Sequence, residues 1–335
     1  MSGKLFVVGY MHSGTTLLQN ILGKSPEIFM IGGETKFFEL LNLGTNAREK
    51  YRFGWTSKCF EKFMPQYLEV FSKHYLPEHN ISKQKATEKF ANIFDELCQI
   101  TGKRFWLEKT PSHAIFINDI CNSYPDAKLI FIVRDIRDVY ASKKQRVVDV
   151  EKNFHGTGKL REKKLQKNYN PLFDALSARS FVEACLTGLH EFPDRLHVVR
   201  YEDLVGDPEV EVRKICQFAG LGYDVSMLQV ATLNSAYAQK TDRIDAASVG
   251  RYKGKLCPEE LWIIQKVSAR VMRMFNYEED VVNVPLSAKL RIVGSSLLRL
   301  AINFYGKIRL GGRDYFINYI MQYARRARQL KRTRS

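Results

Sequence analysis

Leu5-Phe6-Val7-Val8-Gly9-Tyr10-Met11-His12-Ser13-Gly14-Thr15-Thr16-Leu17 reads as an apolar strand, a glycine-bounded loop and the start of a helix. The loop has the spacing of a phosphate-binding P-loop, with Thr15 standing where a nucleotide triphosphatase places its Lys. Backbone N–H groups and a helix N-terminus can still hold an anion there. Without a Lys to reach β- and γ-phosphates, that anion is not expected to be the end of an ATP. Gly14 lets the backbone approach a ligand closely, and Leu17, Leu18, Ile21 and Leu22 recur on one face of the helix that follows.

Working outward, Lys128-Leu129-Ile130-Phe131-Ile132-Val133 is a continuous apolar run, the pattern of a strand buried on both faces of a parallel sheet. Arg134 follows it directly, at the carboxyl end where open α/β sheets bind ligands. A helix over 135–147 puts Ser142 two turns beyond Arg134. A guanidinium fork and a hydroxyl then form a second anion site, although Arg134, Asp135, Arg137 and Asp138 also read as a solvated ion-pair cluster at a helix start.

The two elements together resemble the sulfotransferases that use 3′-phosphoadenosine 5′-phosphosulfate (PAPS). The resemblance covers roughly residues 4–40, 104–145, 196–221 and 248–260. It implies that His12, Ser13, Gly14, Thr15, Thr16 and Leu17 hold the 5′-phosphosulfate, and that Arg134 and Ser142 hold the 3′-phosphate. Gly32-Gly33-Glu34-Thr35-Lys36 resembles the segment of tyrosylprotein sulfotransferases that carries the general base, which makes Glu34 the expected base here. Lys109, in Phe105-Trp106-Leu107-Glu108-Lys109-Thr110-Pro111, resembles the family Lys that contacts the sulfuryl group and the leaving oxygen. His12 departs from the family, where Lys or Arg often precedes Ser-Gly-Thr-Thr; a His is a weaker, pH-dependent anion binder, so its charge in catalysis is open. His113 is a rival base, with a capping or packing role as the alternative. Tyr201, in Tyr201-Glu202-Asp203-Leu204, resembles a nucleotide contact. Arg251, Tyr252 and Lys253, in Ser248-Val249-Gly250-Arg251-Tyr252-Lys253-Gly254-Lys255, resemble the late basic loop that closes over the 3′-phosphate.

The implied activity is transfer of a sulfuryl group from PAPS to a hydroxyl, expected to be that of a carbohydrate or glycoconjugate. A peptide tyrosine is the alternative acceptor. A P-loop kinase, disfavoured by Thr15, and a non-catalytic nucleotide-binding protein, kept open by His12, are the competing classes. No metal is expected, since pairs such as His74 and His79 lack partners at ligand spacing.

Strand–helix alternation argues an α/β fold: a three-layer parallel sheet with a P-loop-like nucleotide site, in a chain of 335 residues that is 45% hydrophobic and long enough for a full core. The expected catalytic domain is 1–285. Within it a helical insert at 44–100 is expected on the acceptor side, with residues 58–100 reading as two helices that carry Phe60, Phe63, Tyr67, Val70 and Phe71 on one face and are joined by a turn at 76–80. A Lys-rich loop at 149–170, with Lys152, Lys159, Arg161, Lys163, Lys164 and Lys167, is either an anionic-glycan contact or an ordinary solvated run.

Charge is uneven. The formal net charge is +16, and residues 286–335 hold 12 Lys or Arg against Asp314 alone. This basic helical appendage carries Leu290, Val293, Leu297, Leu298 and Ala301 at helical spacing. It either packs its apolar face on the main domain or meets an anionic membrane or polymer; nucleic acid is not the expected partner, because no DNA or RNA motif accompanies it. Six Cys without regular spacing fit free thiols in a reducing compartment. The first strand starts within a few residues of Met1 and no window reaches 18 apolar residues; the expectation is a cytoplasmic protein rather than one whose anchor, present in the Golgi sulfotransferases, was trimmed, with membrane association through 286–335 as an open alternative.

Overall fold

The computed structural model describes residues 2–42, 53–74, 81–153, 170–230, 232–233, 240–241, 244 and 246–309. Five parallel strands form its sheet: β1 (Gly3–Gly9), β2 (Ile28–Met30), β3 (Phe105–Lys109), β4 (Lys128–Val133) and β5 (Leu196–Arg200), in the order β2-β3-β1-β4-β5. The expected α/β sheet is therefore present, with β1 at its centre.

Side chains alternate along each strand, and both faces are covered. Phe6, Val8, Leu129 and Phe131 face one layer, packed by Phe90 and Phe94 of helix Lys83–Thr101, Phe181 of helix Pro171–Glu191 and Ile264 of helix Pro258–Met274. Leu5, Val7, Ile130 and Ile132 face the other, packed by Leu18 and Ile21 of helix Thr15–Leu22 and by Val212 and Ile215 of helix Pro208–Ala219. Register sets the site: Val7 pairs with Lys109 and Gly9 with Ile132. The carboxyl ends of β3, β1 and β4 thus lie along one edge, where the chain goes from β1 to one side for β2 and β3 and then crosses to the other side for β4 and β5.

Two expectations fail in the insert. The predicted first helix is broken: helix Gly54–Phe63 ends before Pro65, a one-turn 3₁₀ segment follows, and helix Leu68–His74 begins anew. Pro65 lacks the N–H that a continuous helix needs. Phe63 consequently leaves the apolar face and is exposed. The 76–80 turn, residues 154–169 of the Lys-rich loop and residues 310–335 lie outside the described residues; Lys152 falls in helix Ile136–Asn153. All six cysteines are unpaired thiols, five of them buried and Cys257 exposed.

Candidate active site

The loop after β1 is braced by its own atoms. Ser13 donates both its N–H (3.1 Å) and its hydroxyl (2.6 Å) to the Tyr10 carbonyl. The Ser13 hydroxyl, expected to face an anion, therefore closes the turn. His12 sits in the left-handed region at φ 67°, a conformation that costs a non-glycine residue about 1–3 kcal/mol. Gly14, at φ 104°, starts the helix, and a Cβ there would lie 2.4 Å from the Tyr201 ring, so the loop and Tyr201 are packed backbone to ring. Thr15, Thr16 and Leu17 open helix Thr15–Leu22, where backbone N–H groups have no intrahelical acceptor. Thr15 is buried and Thr16 exposed.

On the β3 side, Glu34 and Lys109 form an ion pair at 3.0 Å. The Lys109 side chain is 7% exposed and that of Glu34 39%, so the carboxylate faces solvent while the ammonium is set into the protein. Glu108, next to Lys109, is fully buried. It accepts from the Thr35 hydroxyl (2.8 Å), the Thr110 hydroxyl (2.6 Å) and His113 Nδ1 (3.0 Å). The Phe38 N–H donates to His113 Nε2 (3.2 Å), which assigns the ring proton to Nδ1, toward Glu108. Burial alone would raise the Glu108 pKa; the attraction of His113 and the hydrogen bonds from His113, Thr110 and Thr35 outweigh it and hold the carboxyl below its ordinary range. His113 is thus sealed in the core with both nitrogens engaged, which fits the packing role. Glu39, close by, is pushed up by burial.

Two exposed rings flank the turn that carries Glu34. Phe63 lies against Gly32 and Gly33, where added Cβ atoms would come within 2.5 and 2.7 Å of it. Trp55 has the Lys36 ammonium 4.3 Å and the Lys58 ammonium 5.1 Å from its ring centre, and Phe63 has that of Lys62 at 5.1 Å.

On the β4 side, Arg134 donates to the carbonyls of Ser248 (2.6 Å) and His12 (3.3 Å) and stacks 4.3 Å over Tyr201. Its Nε is buried without a partner. The Tyr201 hydroxyl and Ser248 Oγ are 2.5 Å apart. Asp138 accepts from the N–H groups of Gly250 (2.7 Å) and Tyr252 (2.9 Å) and so pins the basic loop to the helix after β4. Burial raises the Asp138 carboxyl, as it does Glu202, which accepts from the Asp135 N–H.

Arg134, His12 and Tyr201 are thus brought together, as are Glu34 and Lys109. Ser142 is half-buried on its helix and makes no hydrogen bond with Arg134. Tyr252 is buried with its ring 4.3 Å from the Arg137 guanidinium carbon, so its side chain is turned into the core. Arg251 donates to the Ala247 carbonyl, and Lys253 is exposed. Glu108, Asp138, Ser248 and the pair Trp55 and Phe63 went unread as site residues. An acid in the middle of a strand sequence was the available signal for Glu108; for Asp138 it was the one-turn spacing from Arg134.

Among the described residues, no group of three or more His, Cys, Asp or Glu is arranged to hold a metal ion. Residues 4–225 match the model of the "Sulfotransferase family". An omega-hydroxy-beta-dihydromenaquinone-9 sulfotransferase of Mycobacterium bovis is 24% identical over 65% of this chain and 63% of its own length, so less than two thirds of that relative is spanned. A putative protein-tyrosine sulfotransferase of Caenorhabditis briggsae is 26% identical over 73% of this chain and 75% of its own. Among solved structures, the sulfotransferase domain of the curacin biosynthetic pathway superposes at a TM-score of 0.53 with 18% identity, covering 84% of this chain and 99% of that one; the sulfotransferase domain of the Synechococcus PCC 7002 olefin synthase does so at 0.51 with 19% identity, covering 83% and 96%. These superpositions show a shared fold, and the family match spans well over half the residues: the chain belongs to the sulfotransferase family.

Proposed function

We propose that this protein transfers a sulfuryl group from PAPS to a hydroxyl acceptor, with Glu34 as general base. The observation that carries the reading is the 3.0 Å Glu34–Lys109 pair at the same sheet edge as a helix N-terminus and Arg134. The residues fit the nucleotide. The helix start at Thr15–Leu17 offers N–H donors to the 5′-phosphosulfate, Arg134 keeps an unpaired buried Nε for a phosphate oxygen, and Ser142, Arg251 and Lys253 are the further donors assigned to the 3′-phosphate in this reading. PAPS supplies the activated sulfuryl group and leaves as adenosine 3′,5′-bisphosphate.

Glu34 takes the proton of the acceptor hydroxyl as its oxygen bonds to sulfur, a role worth roughly 10²–10⁴ in rate. Lys109, prepositioned beside the carboxylate, offers its positive charge where negative charge grows on the leaving oxygen. Glu108 holds Thr35 and Thr110, the neighbours of Glu34 and Lys109 in sequence, and so fixes the spacing of the pair.

For the acceptor, the exposed Trp55 and Phe63 rings with Lys36, Lys58 and Lys62 support a sugar ring stacked beside Glu34, its anionic substituents met by ammonium groups. The tyrosine-directed relative and the Gly-Gly-Glu-Thr-Lys segment favour a second reading, a peptide tyrosine on the same rings. Labelled PAPS offered with a panel of glycans and of tyrosine peptides separates the two. Transfer to a glycan, lost in Glu34→Gln with bisphosphate binding retained, is the expected result. Transfer to peptides alone would replace the glycan reading, and transfer persisting in Glu34→Gln would remove Glu34 as the base.

A further inference from the structure

Four leucines of helix Leu286–Arg309 do not face the body of the protein. Helix Leu286–Arg309 seats itself through Ala288, Ile292 and Ser296, one turn apart on one face, with Val293 alongside. The Asn170 amide donates to the Ser296 carbonyl (2.8 Å), Arg291 reaches Glu259 (3.2 Å), and Lys289 lies over Trp262. Leu286, Leu290 and Leu297 stand on another face, with Leu298 beside them. They are 70%, 65%, 52% and 62% exposed. Four leucines left in water on one helix are unusual for a surface helix, whose apolar stripe ordinarily faces inward.

We infer that this outward face docks on an anionic lipid bilayer surface, the leucines entering the acyl boundary and the flanking cations meeting the headgroups. Charge complementarity selects the occupant. The helix carries exposed Arg291 and Arg299 among the leucines, and residues 286–335 carry 12 cationic side chains against one acid. A helix with an apolar face and a basic flank binds membranes by area and by attraction to anionic lipid together. The same charge would repel a second copy brought face to face, and a polyanion would leave the leucines in water. No helix among the described residues is long and apolar enough to cross a membrane, so the contact is interfacial. The inference does not rest on the transfer reading: loss of nucleotide binding would leave it standing.

Co-sedimentation of the full chain with vesicles of phosphatidylcholine alone, and of phosphatidylcholine with phosphatidylglycerol, tests it. Binding to the anionic vesicles is expected, weakening as salt rises. The Leu290→Glu/Leu297→Glu/Leu298→Glu variant should bind about tenfold more weakly or worse, the least expected from withdrawing one leucine side chain from an apolar phase. Its urea unfolding should match that of the unsubstituted protein, showing that the fold is kept. Failure to bind anionic vesicles, or binding indifferent to the three substitutions, would overturn the inference. So would a concentration-dependent dimer that the substitutions dissolve in the absence of lipid binding.

Discussion

On the β3 side of the loop, Glu34 and Lys109 pair with each other above a buried carboxylate that four groups hold in place. On the β4 side, Arg134 is held by two backbone carbonyls and a tyrosine ring. A charge paired to a charge has its position set but its field partly cancelled until a substrate proton arrives. A guanidinium held by neutral carbonyls keeps its full charge for a ligand. The first arrangement suits chemistry and the second suits binding, and each of the following substitutions should damage mainly one of them.

The largest effect belongs to the β3 side. Lys109→Met should lower kcat/KM by roughly 10²–10³, the scale of removing one donor from developing charge, while calorimetric affinity for adenosine 3′,5′-bisphosphate changes far less. Equal losses in both would erase the division of labour. Arg134→Ala should do the reverse: bisphosphate binding weakens ~10–100-fold, the worth of one hydrogen bond to a charged group, measured by the same titration. Because Arg134 also ties down Ser248, Arg134→Lys should recover only part of that affinity.

Gly14→Ala strikes the seam between the sides. A side chain at φ 104° faces the Tyr201 ring, and about 1–3 kcal/mol of stability should be lost, read from urea unfolding.

The subtlest difference is in pH dependence. Glu108 is held below its ordinary pKa; its contribution is complete above the unfolded carboxyl value and lost as pH falls through the lower folded value. Asp138 is raised by burial; its contribution is complete below the unfolded value and lost as pH rises through the folded one. Unfolding measured from pH 7 downward should therefore show a shallower acid loss in Glu108→Gln and a steeper one in Asp138→Asn than in the unsubstituted protein. Identical slopes would mean that the two sides are not electrostatically distinct.

Much of this was legible in order along the chain. Val7, Ile130 and their neighbours announce a sheet buried on both faces, and a strand ending in Lys109 or Arg134 announces a residue at the ligand edge, because strand direction alone places it there. The long-range partners were hidden. Nothing local tells Thr35 that it will meet Glu108, 73 positions away, or Asp138 that it will catch Gly250 and Tyr252; such contacts follow from sheet order and register. Phe63 was misread because an i, i+3, i+4 pattern runs through Pro65 without seeing it as a break. Helix Leu286–Arg309 shows the limit of periodicity itself: the spacing identifies an apolar face, but not whether the body of the protein covers it.

Calorimetric titration with adenosine 3′,5′-bisphosphate, beside ADP and with and without Mg²⁺, reaches the centre of the functional account. Tight, metal-independent binding of the bisphosphate that Arg134→Ala weakens is the predicted result. A preference for ADP that requires Mg²⁺ would contradict it and make the Thr15 loop that of a kinase.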